Sequence, residues 1–172
     1  MKRALQLLNK RGPVKWIGLL LIVIGLLFNF FNTAPGIEDA EGIARVIDGD
    51  SLFVGGREVR MHGIDAPEGR QTCQRQGREW ACGEEARRVL QRLIGRNSVL
   101  CKGLEIDKHQ RLLAVCEAAG VDLNREMVAH GFAVAYGRFH DEEKVAKASG
   151  KGLWSGEFTR PREWRRERNI GQ

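Results

Sequence analysis

Two adjacent glycines, Gly55 and Gly56, separate two short runs of alternating apolar and polar residues. A two-residue Gly-Gly loop suits the primed turn of a tight β-hairpin, because both central residues must take positive φ. Such a turn places Ser51 opposite Arg60 and fixes the face on which every other side chain of the hairpin lies. Four apolar side chains then share one face: Leu52, Val54, Val59 and Met61. The sequence therefore predicts a hairpin with one face turned to the core.

Carboxylates cluster at the open end of this predicted hairpin. Asp50 immediately precedes its first strand, and Asp65 and Glu68 follow Arg60 toward the same end. Carboxylate oxygens suit the hard cations Ca²⁺ and Mg²⁺, and the sequence has no His/Cys set at zinc spacing. The pattern indicates a cation site beside an anion-binding arginine. The alternative is that Asp48, Asp50 and Asp65 are turn residues, which Asp-Gly and Asp-x-Pro contexts also favour.

The formal net charge of +6 is concentrated near the start of the chain. Five basic residues precede the first acid, Glu38, and supply +5 of that charge: Lys2, Arg3, Lys10, Arg11 and Lys15. The rest of the chain is near neutral, so overall charge does not indicate nucleic-acid binding. The length of 172 residues leaves room for one domain of ordinary size.

An apolar run at residues 16–31 follows those basic residues. The positive-inside pattern predicts a single-pass transmembrane signal anchor there, with residues 1–15 in the cytosol and the downstream chain exported. The expected location is a bacterial cytoplasmic membrane, with the folded domain on the periplasmic or extracellular side and the membrane as partner of the N-terminal helix. The run is short for a spanning helix, so secretion after signal cleavage is the alternative.

Four cysteines in an exported chain favour disulfides over free thiols. Cys101 and Cys116 lie in two apolar, strand-like runs joined by a connection short enough for antiparallel pairing. We expect these two to pair, which leaves Cys73 with Cys82 across a polar loop. Four free buried thiols would be favoured if the domain faced the cytosol.

Apolar periodicity elsewhere predicts three helices and several short strands. The helices are expected at residues 83–95, 122–130 and 141–149. The strands are expected at residues 43–47, 99–101, 111–116 and 132–136, besides the hairpin. Short strands followed by amphipathic helices predict an α+β domain built on a small barrel.

This arrangement predicts a domain at residues 43–156. A linker at residues 32–42 precedes it, because that stretch contains proline, glycine and acidic residues. Residues 157–172 are rich in arginine and tryptophan, and we interpret them as a solvated basic tail.

The order of five motifs resembles that of the staphylococcal nuclease (thermonuclease) family. The motifs are VIDGDS, VRMHGIDAPE, DKHQRLLAV, DLNREMVAHGFAVAY and GLW, with an amphipathic helix after the second. The similarity covers residues 43–154. It implies a five-stranded OB-fold β-barrel with three helices.

The same resemblance implies a set of site residues. Asp50 and Asp65 would bind calcium, together with the backbone carbonyl of Ala66, where the type member of the family has threonine. Glu68 would be the general base, or would orient the attacking water. Arg60 and Arg111 would bind the phosphate. A guanidinium suits that role, because its planar fork matches phosphate oxygens.

Two further residues are weaker candidates for binding the substrate. The family's Tyr-Gly before its second arginine is His109-Gln110 here, so the tyrosine hydroxyl contact is absent. His109 either replaces that contact or is an exposed loop residue. Tyr136 matches a family tyrosine near the nucleotide base, although a core aromatic is an equal account.

The resemblance implies a calcium-dependent nuclease that hydrolyses phosphodiester bonds of DNA and/or RNA with low base specificity and leaves 3′-phosphate ends. Single-stranded or relaxed nucleic acid would be the substrate, and no obligate protein partner is expected. Two alternatives stay open. One is a non-catalytic OB-fold module that binds nucleic acid, and the other is an envelope interaction domain.

Overall fold

The fold is mixed α+β, as predicted, in a computed structural model that describes residues 22–24 and 37–170. The strands are β1 (Ala40–Gly42), β2 (Arg45–Val46), β3 (Ser51–Val54), β4 (Arg57–Met61), β5 (Ile64–Asp65), β6 (Cys73–Arg75), β7 (Arg78–Trp80), β8 (Val99–Ile106), β9 (Leu112–Ala118), β10 (Val121–Asp122) and β11 (Val134–Ala135). The helices are α1 (Cys82–Ile94), α2 (Leu123–Ala129), α3 (His140–Ala148) and α4 (Pro161–Glu167), with a 3₁₀ turn at Gly152–Ser155.

The predicted hairpin is confirmed as β3 and β4. Ser51 lies opposite Arg60 and Leu52 opposite Val59, and both turn glycines have positive φ. The four apolar side chains of the shared face are almost fully buried: Leu52, Val54, Val59 and Met61. The hairpin therefore turns one face to the core and carries the other toward solvent.

The main sheet has the strand order β1-β8-β9-β4-β3-β2, and β10 pairs with β9. Strands β4 and β9 run parallel, whereas the other pairs are antiparallel. This hydrogen-bonded path has β1 and β2 as its ends. The structure thus shows an OB-like mixed sheet over the described residues, rather than the closed five-stranded barrel that the resemblance implied.

The three predicted helices are confirmed, with boundaries that shift by a residue or two. Helix α1 buries Ala86, Leu90 and Ile94, which are spaced four apart along one face. Asp122 caps α2 by accepting a hydrogen bond from the Arg125 backbone at 3.0 Å. These helices pack their apolar faces against the sheet.

Two predictions about the ends of the domain are wrong. The linker predicted at residues 32–42 includes strand β1, which pairs with β8 and buries Ala40. The tail predicted at residues 157–172 contains α4, in which Pro161 and Trp164 are buried. Charged residues dominate the composition of that segment. Pro161 and Trp164, however, are three residues apart, so they lie on one face of the helix and pack that face against the protein.

Both expected disulfides are present. Cys101 and Cys116 lie directly opposite each other in β8 and β9, and Cys73 is bonded to Cys82. Residues 71–80, which we predicted to be a polar loop, form the β6–β7 hairpin. The buried side chains around Cys73–Cys82 form a small second core, separate from the main one. Its members are Cys73, Cys82 and Leu153, with Trp80 and Phe158 packed against them.

The predicted membrane topology is wrong. In the part of the chain that the structure describes, no helix is long and apolar enough to cross a bilayer. The longest helix whose two ends both lie in the described residues, α1, has 13 residues, whereas a helix that crosses a bilayer needs about 20. This finding overturns the prediction of a single-pass protein of the cytoplasmic membrane. Apart from residues 22–24, the predicted span at 16–31 lies outside the described residues, as do residues 1–15.

Candidate active site

Three of the predicted site residues meet beside the open end of the β3–β4 hairpin. Asp50 lies just before β3, Arg60 lies on β4 and Asp65 ends β5. The Arg60 Nη2 atom is 3.3 Å from Asp50 Oδ2 and 3.2 Å from Asp65 Oδ1. Both carboxylates are buried, at 3% and 4% exposure. Arg60 therefore bridges two carboxylates that would otherwise repel each other.

The backbone of Ala66 closes this cluster. Its N–H donates to Asp50 Oδ2 at 2.9 Å, so the segment after β5 is tied to the turn before β3. Gly49 permits this approach, because a Cβ there would lie 2.7 Å from the Cβ of Ala66 and 2.9 Å from that of Ala86. A larger residue at position 49 would push the Asp48–Asp50 turn off α1.

A second guanidinium, which sequence analysis missed, shares Asp65 with Arg60 and also contacts Glu68. Arg165 on α4 places Nη2 2.9 Å from Asp65 Oδ1 and Nη1 2.9 Å from Glu68 Oε1. Its neighbour Trp164 is buried and holds the helix in place. That tryptophan within an arginine-rich run was the one signal in the sequence that this segment packs.

Gln71 orders the turn that carries Glu68. It is fully buried, and its backbone N–H donates to the Glu68 carbonyl at 2.7 Å. Its side-chain Nε2 donates to the Thr159 carbonyl at 2.7 Å, just before α4. Gly83 allows α1 to approach the same turn, because a Cβ there would collide with the Glu68 carbonyl. The Glu68 turn and the start of α4 are thus held by one buried amide.

Negative charge exceeds positive charge in this cluster. Burial raises the pKa of Asp48 to about 7, and the neighbouring Asp50 acts in the same direction. Burial also raises the pKa of Asp65, although Arg165 opposes that shift. Such a site favours the binding of a cation, since an added positive charge would stabilise the ionised carboxylates.

The donor chemistry fits a hard cation, because buried carboxylates are the ligands that calcium prefers. The positions of the side chains, however, do not form a complete set of metal ligands. Among the described residues, no group of three or more His, Cys, Asp or Glu side chains is placed to hold a metal ion. Asp65 Oδ1 is instead shared by Arg60 and Arg165.

The remaining predicted residues lie further from the carboxylates. Arg111 pairs with Asp107 through Nε at 2.9 Å and Nη2 at 2.8 Å, and not with the cluster. His109 is exposed, and its backbone N–H donates to the same Asp107 at 2.8 Å. Burial would raise the pKa of Asp107, but hydrogen bonds from Arg111 and His109 outweigh it and lower that pKa. Asp107 therefore acts as an ionised anchor for Arg111.

A cleft of about 880 Å³ opens beside the cluster. Its walls include Arg60, Asp65 and Tyr136, together with three arginines of α4: Arg162, Arg165 and Arg166. Tyr136 is 57% exposed, so the account of it as a core aromatic is wrong. The cleft thus joins the buried carboxylates to a wall that is rich in guanidinium groups.

Known proteins share this sequence pattern. The family described as "Staphylococcal nuclease homologue" matches residues 58–156. An "Uncharacterized endonuclease" of Haemophilus influenzae is 30% identical over 164 residues, covering 88% of this chain and 87% of that protein. The "Succinoglycan biosynthesis protein ExoI" of Rhizobium meliloti is 30% identical over 131 residues, covering 72% of this chain and 69% of that protein.

A plant relative extends the comparison. The "Probable staphylococcal-like nuclease CAN3" of Oryza sativa subsp. japonica is 30% identical over 131 residues, which cover 72% of this chain and 32% of that longer protein. The family match spans more than half of the chain, and it includes Arg60 and Asp65, which line the cleft, and Glu68, which pairs with the cleft residue Arg165. The chain therefore belongs to the staphylococcal nuclease family, and it is a nuclease.

Proposed function

We propose that this nuclease hydrolyses phosphodiester bonds of DNA and/or RNA in a calcium-dependent reaction, with low base specificity, and leaves 3′-phosphate ends. One observation carries the proposal. Two guanidinium groups, those of Arg60 and Arg165, converge on Asp65 beside Glu68 at an open cleft. The arginines that could bind a phosphate therefore lie next to Glu68, the carboxylate that could accept a proton.

Arg60 is the first phosphate-binding residue. Phosphodiester hydrolysis develops negative charge on the non-bridging oxygens, and a planar guanidinium stabilises that charge with paired hydrogen bonds. Arg60 is 21% exposed at its side chain and lines the cleft, so a phosphate can reach it. Asp50 and Asp65 hold it in place from the buried side.

Arg111 is proposed as the second phosphate-binding residue. The parallel register of β4 and β9 sets Leu113 beside Arg60. Arg111 lies two residues before Leu113, and side chains two apart on an extended chain point to one face. Arg111 therefore projects from the same side of the sheet as Arg60, while Asp107 fixes its guanidinium.

Glu68 is proposed as the general base. A base must be within hydrogen-bond reach of the water whose proton it accepts. Among the described residues, the ion pair with Arg165 engages Oε1 of Glu68, which leaves Oε2 to face a water. Arg165 and the Gln71 turn together restrict the carboxylate to one orientation.

Calcium would be held by Asp50, Asp65 and the carbonyl of Ala66. When bound, it would supply Lewis-acid stabilisation of phosphoryl charge. The excess of buried carboxylates supports this assignment. Low base specificity follows from the same residues, because guanidinium groups and carboxylates contact the backbone phosphates rather than base edges.

The test compares wild-type full-length protein with Glu68→Gln on single-stranded DNA and RNA, with calcium or with chelator. We expect wild-type cleavage only with calcium, and a rate in Glu68→Gln that is lower by about 10²–10⁴-fold. Digestion of end-labelled strands should show 3′-phosphates. Full activity of Glu68→Gln, or cleavage that persists in chelator, would contradict the proposal. Binding without cleavage by the wild type would favour a non-catalytic module.

A further inference from the structure

Helix α4 has two functional sides. Pro161 and Trp164 pack against the protein, and Arg165 reaches inward to Asp65 and Glu68. Arg162 and Arg166 are exposed and line the cleft. They are four residues apart, so they lie on one face of the helix. The helix thus presents a pair of exposed guanidiniums directly beside the cluster of buried carboxylates.

These two arginines have no carboxylate partner among the described residues, unlike the arginines of α1. Arg87, Arg88 and Arg92 all form ion pairs with acids of α1. Within the described residues, the side chain of Arg166 has no such partner, and that of Arg162 contacts only the ring of Tyr136, at 5.9 Å. Their charge is therefore available to an anion that enters the cleft.

The helix is fixed firmly enough to act as a wall. The backbones of Gln74 and Glu157 exchange hydrogen bonds of 2.8 and 2.9 Å just before it. Gln71 binds the Thr159 carbonyl, and Arg168 covers Trp164 at 4.3 Å. The exposed guanidiniums are consequently carried on an ordered backbone, so that only their side chains lose freedom when they bind a ligand.

We propose that α4 is a second nucleic-acid-binding surface, in which Arg162 and Arg166 bind backbone phosphates that flank the bond to be cut. The proposal rests on the proposed nuclease function and adds a site for the adjoining strand. Side chains four apart on a helix are separated by about 5–6 Å at Cβ, which suits neighbouring phosphates of one extended strand. The family match ends at residue 156, so α4 lies beyond it.

The surface recognises the phosphodiester backbone and not the bases. Guanidinium groups bind phosphate oxygens in a bidentate manner, and such contacts are independent of sequence. DNA and RNA strands share this chemistry, and both belong in the test. The ligand must be longer than the dinucleotide at the cut bond, because Arg162 and Arg166 would bind phosphates other than the one that Arg60 binds.

The test measures binding in chelator, so that cleavage plays no part. Full-length wild type and Arg162→Gln/Arg166→Gln are titrated with fluorescein-labelled oligothymidylate or oligouridylate of about 16 nucleotides, and with a labelled dinucleotide. We expect weaker binding of both long strands, and a slope of log K against log salt that is shallower by about 1.4, or 0.7 per lost contact. The dinucleotide affinity should be unchanged.

The matched control is Arg96→Gln/Lys102→Gln, which removes the same charge from exposed residues outside the cleft. It should leave the slope at the wild-type value. Arg166→Gln alone, which does not disturb Tyr136, should change the slope by about half as much as the double variant. An unchanged slope in the α4 variants, an equal change in the control, or equal weakening of the dinucleotide would overturn the proposal. If wild type cuts no strand with calcium while the α4 variants still give the shallower slope, the proposed function fails, and α4 remains a strand-binding surface with no adjoining bond to be cut.

Discussion

The two disulfides hold two different kinds of region. Cys101–Cys116 joins adjacent strands within the main core, where both sulfurs are fully buried. Cys73–Cys82 lies in the small second core beneath the Glu68 turn and the segment that leads to α4. The first region determines whether the sheet is stable. The second determines where Glu68 and Arg165 stand, so stability and activity should respond differently to damage in each.

The largest expected effect separates these regions directly. The sequence separations are 9 residues for Cys73–Cys82 and 15 for Cys101–Cys116. Loop-closure entropy then predicts losses of about 2.6 and 3.0 kcal/mol in unfolding free energy for the two Cys→Ala pairs. The stability losses should therefore be similar. Only Cys73→Ala/Cys82→Ala should also lower kcat, because its loop adjoins the turn that carries Glu68, the proposed base.

Denaturant unfolding and steady-state kinetics of both pairs, measured well below each melting temperature, check this contrast. Each pair serves as the control for the other, since both remove two buried sulfurs. Equal kcat values in the two variants would show that the second core does not position the site.

The sequence predicted those site residues that lie close together along the chain. Asp50, Arg60, Asp65 and Glu68 lie within 19 residues of each other, and the Gly55-Gly56 turn sets Asp50 beside Arg60. Arg165 escaped notice because it lies 97 residues from Glu68, and its arginine-rich context resembles a solvated run. Burial of Pro161 and Trp164 decides the position of α4, and such packing depends on the rest of the fold.

In the sheet, too, the sequence predicted pairing between neighbouring strands but not contacts between distant segments. Adjacent strands such as β8 and β9 could be paired from the sequence, because Cys101 and Cys116 lie in neighbouring apolar runs. The partner of Arg111 was not foreseen, although Asp107 is only four residues away, since a carboxylate in a turn has many possible roles. Long-range docking of β1 onto β8 likewise left no periodic signal in three residues.

The second expected effect tests whether α4 contributes to the reaction rate through Arg165, and not only to the packing of the domain. Arg165→Ala removes the partner of Glu68 and one of the two guanidinium partners of Asp65. We expect kcat to fall by about 10- to 100-fold, as is typical when a residue that orients a functional group is lost. Arg165→Lys should recover only part of that rate, because an ammonium keeps the charge but lacks the planar fork that reaches Asp65 and Glu68 together. The matched control is Arg168→Gln, which lies on the same helix but contacts Trp164. Equal losses of kcat in Arg165→Ala and Arg168→Gln would mean that the helix acts through packing alone.

The smallest expected effect concerns the Asp107–Arg111 pair, which lies beside the start of β9 in the main sheet. The pKa of Asp107 is lowered in the folded protein, so its carboxylate contributes stability above its unfolded pKa, and that contribution disappears as pH falls through the folded pKa. Solvent screens this partly exposed pair, so Asp107→Asn should lose only about 0.5–1 kcal/mol of unfolding free energy at pH 7. The difference from wild type should begin to shrink as pH falls below about 4, the unfolded pKa, and vanish once pH is below the folded pKa. Urea unfolding of both proteins across that pH range checks the sign, and a difference that grows toward low pH would show that Asp107 is not held as an anion. If Arg111 binds phosphate, the same variant should also raise KM at pH 7, because its guanidinium would lose the partner that orients it.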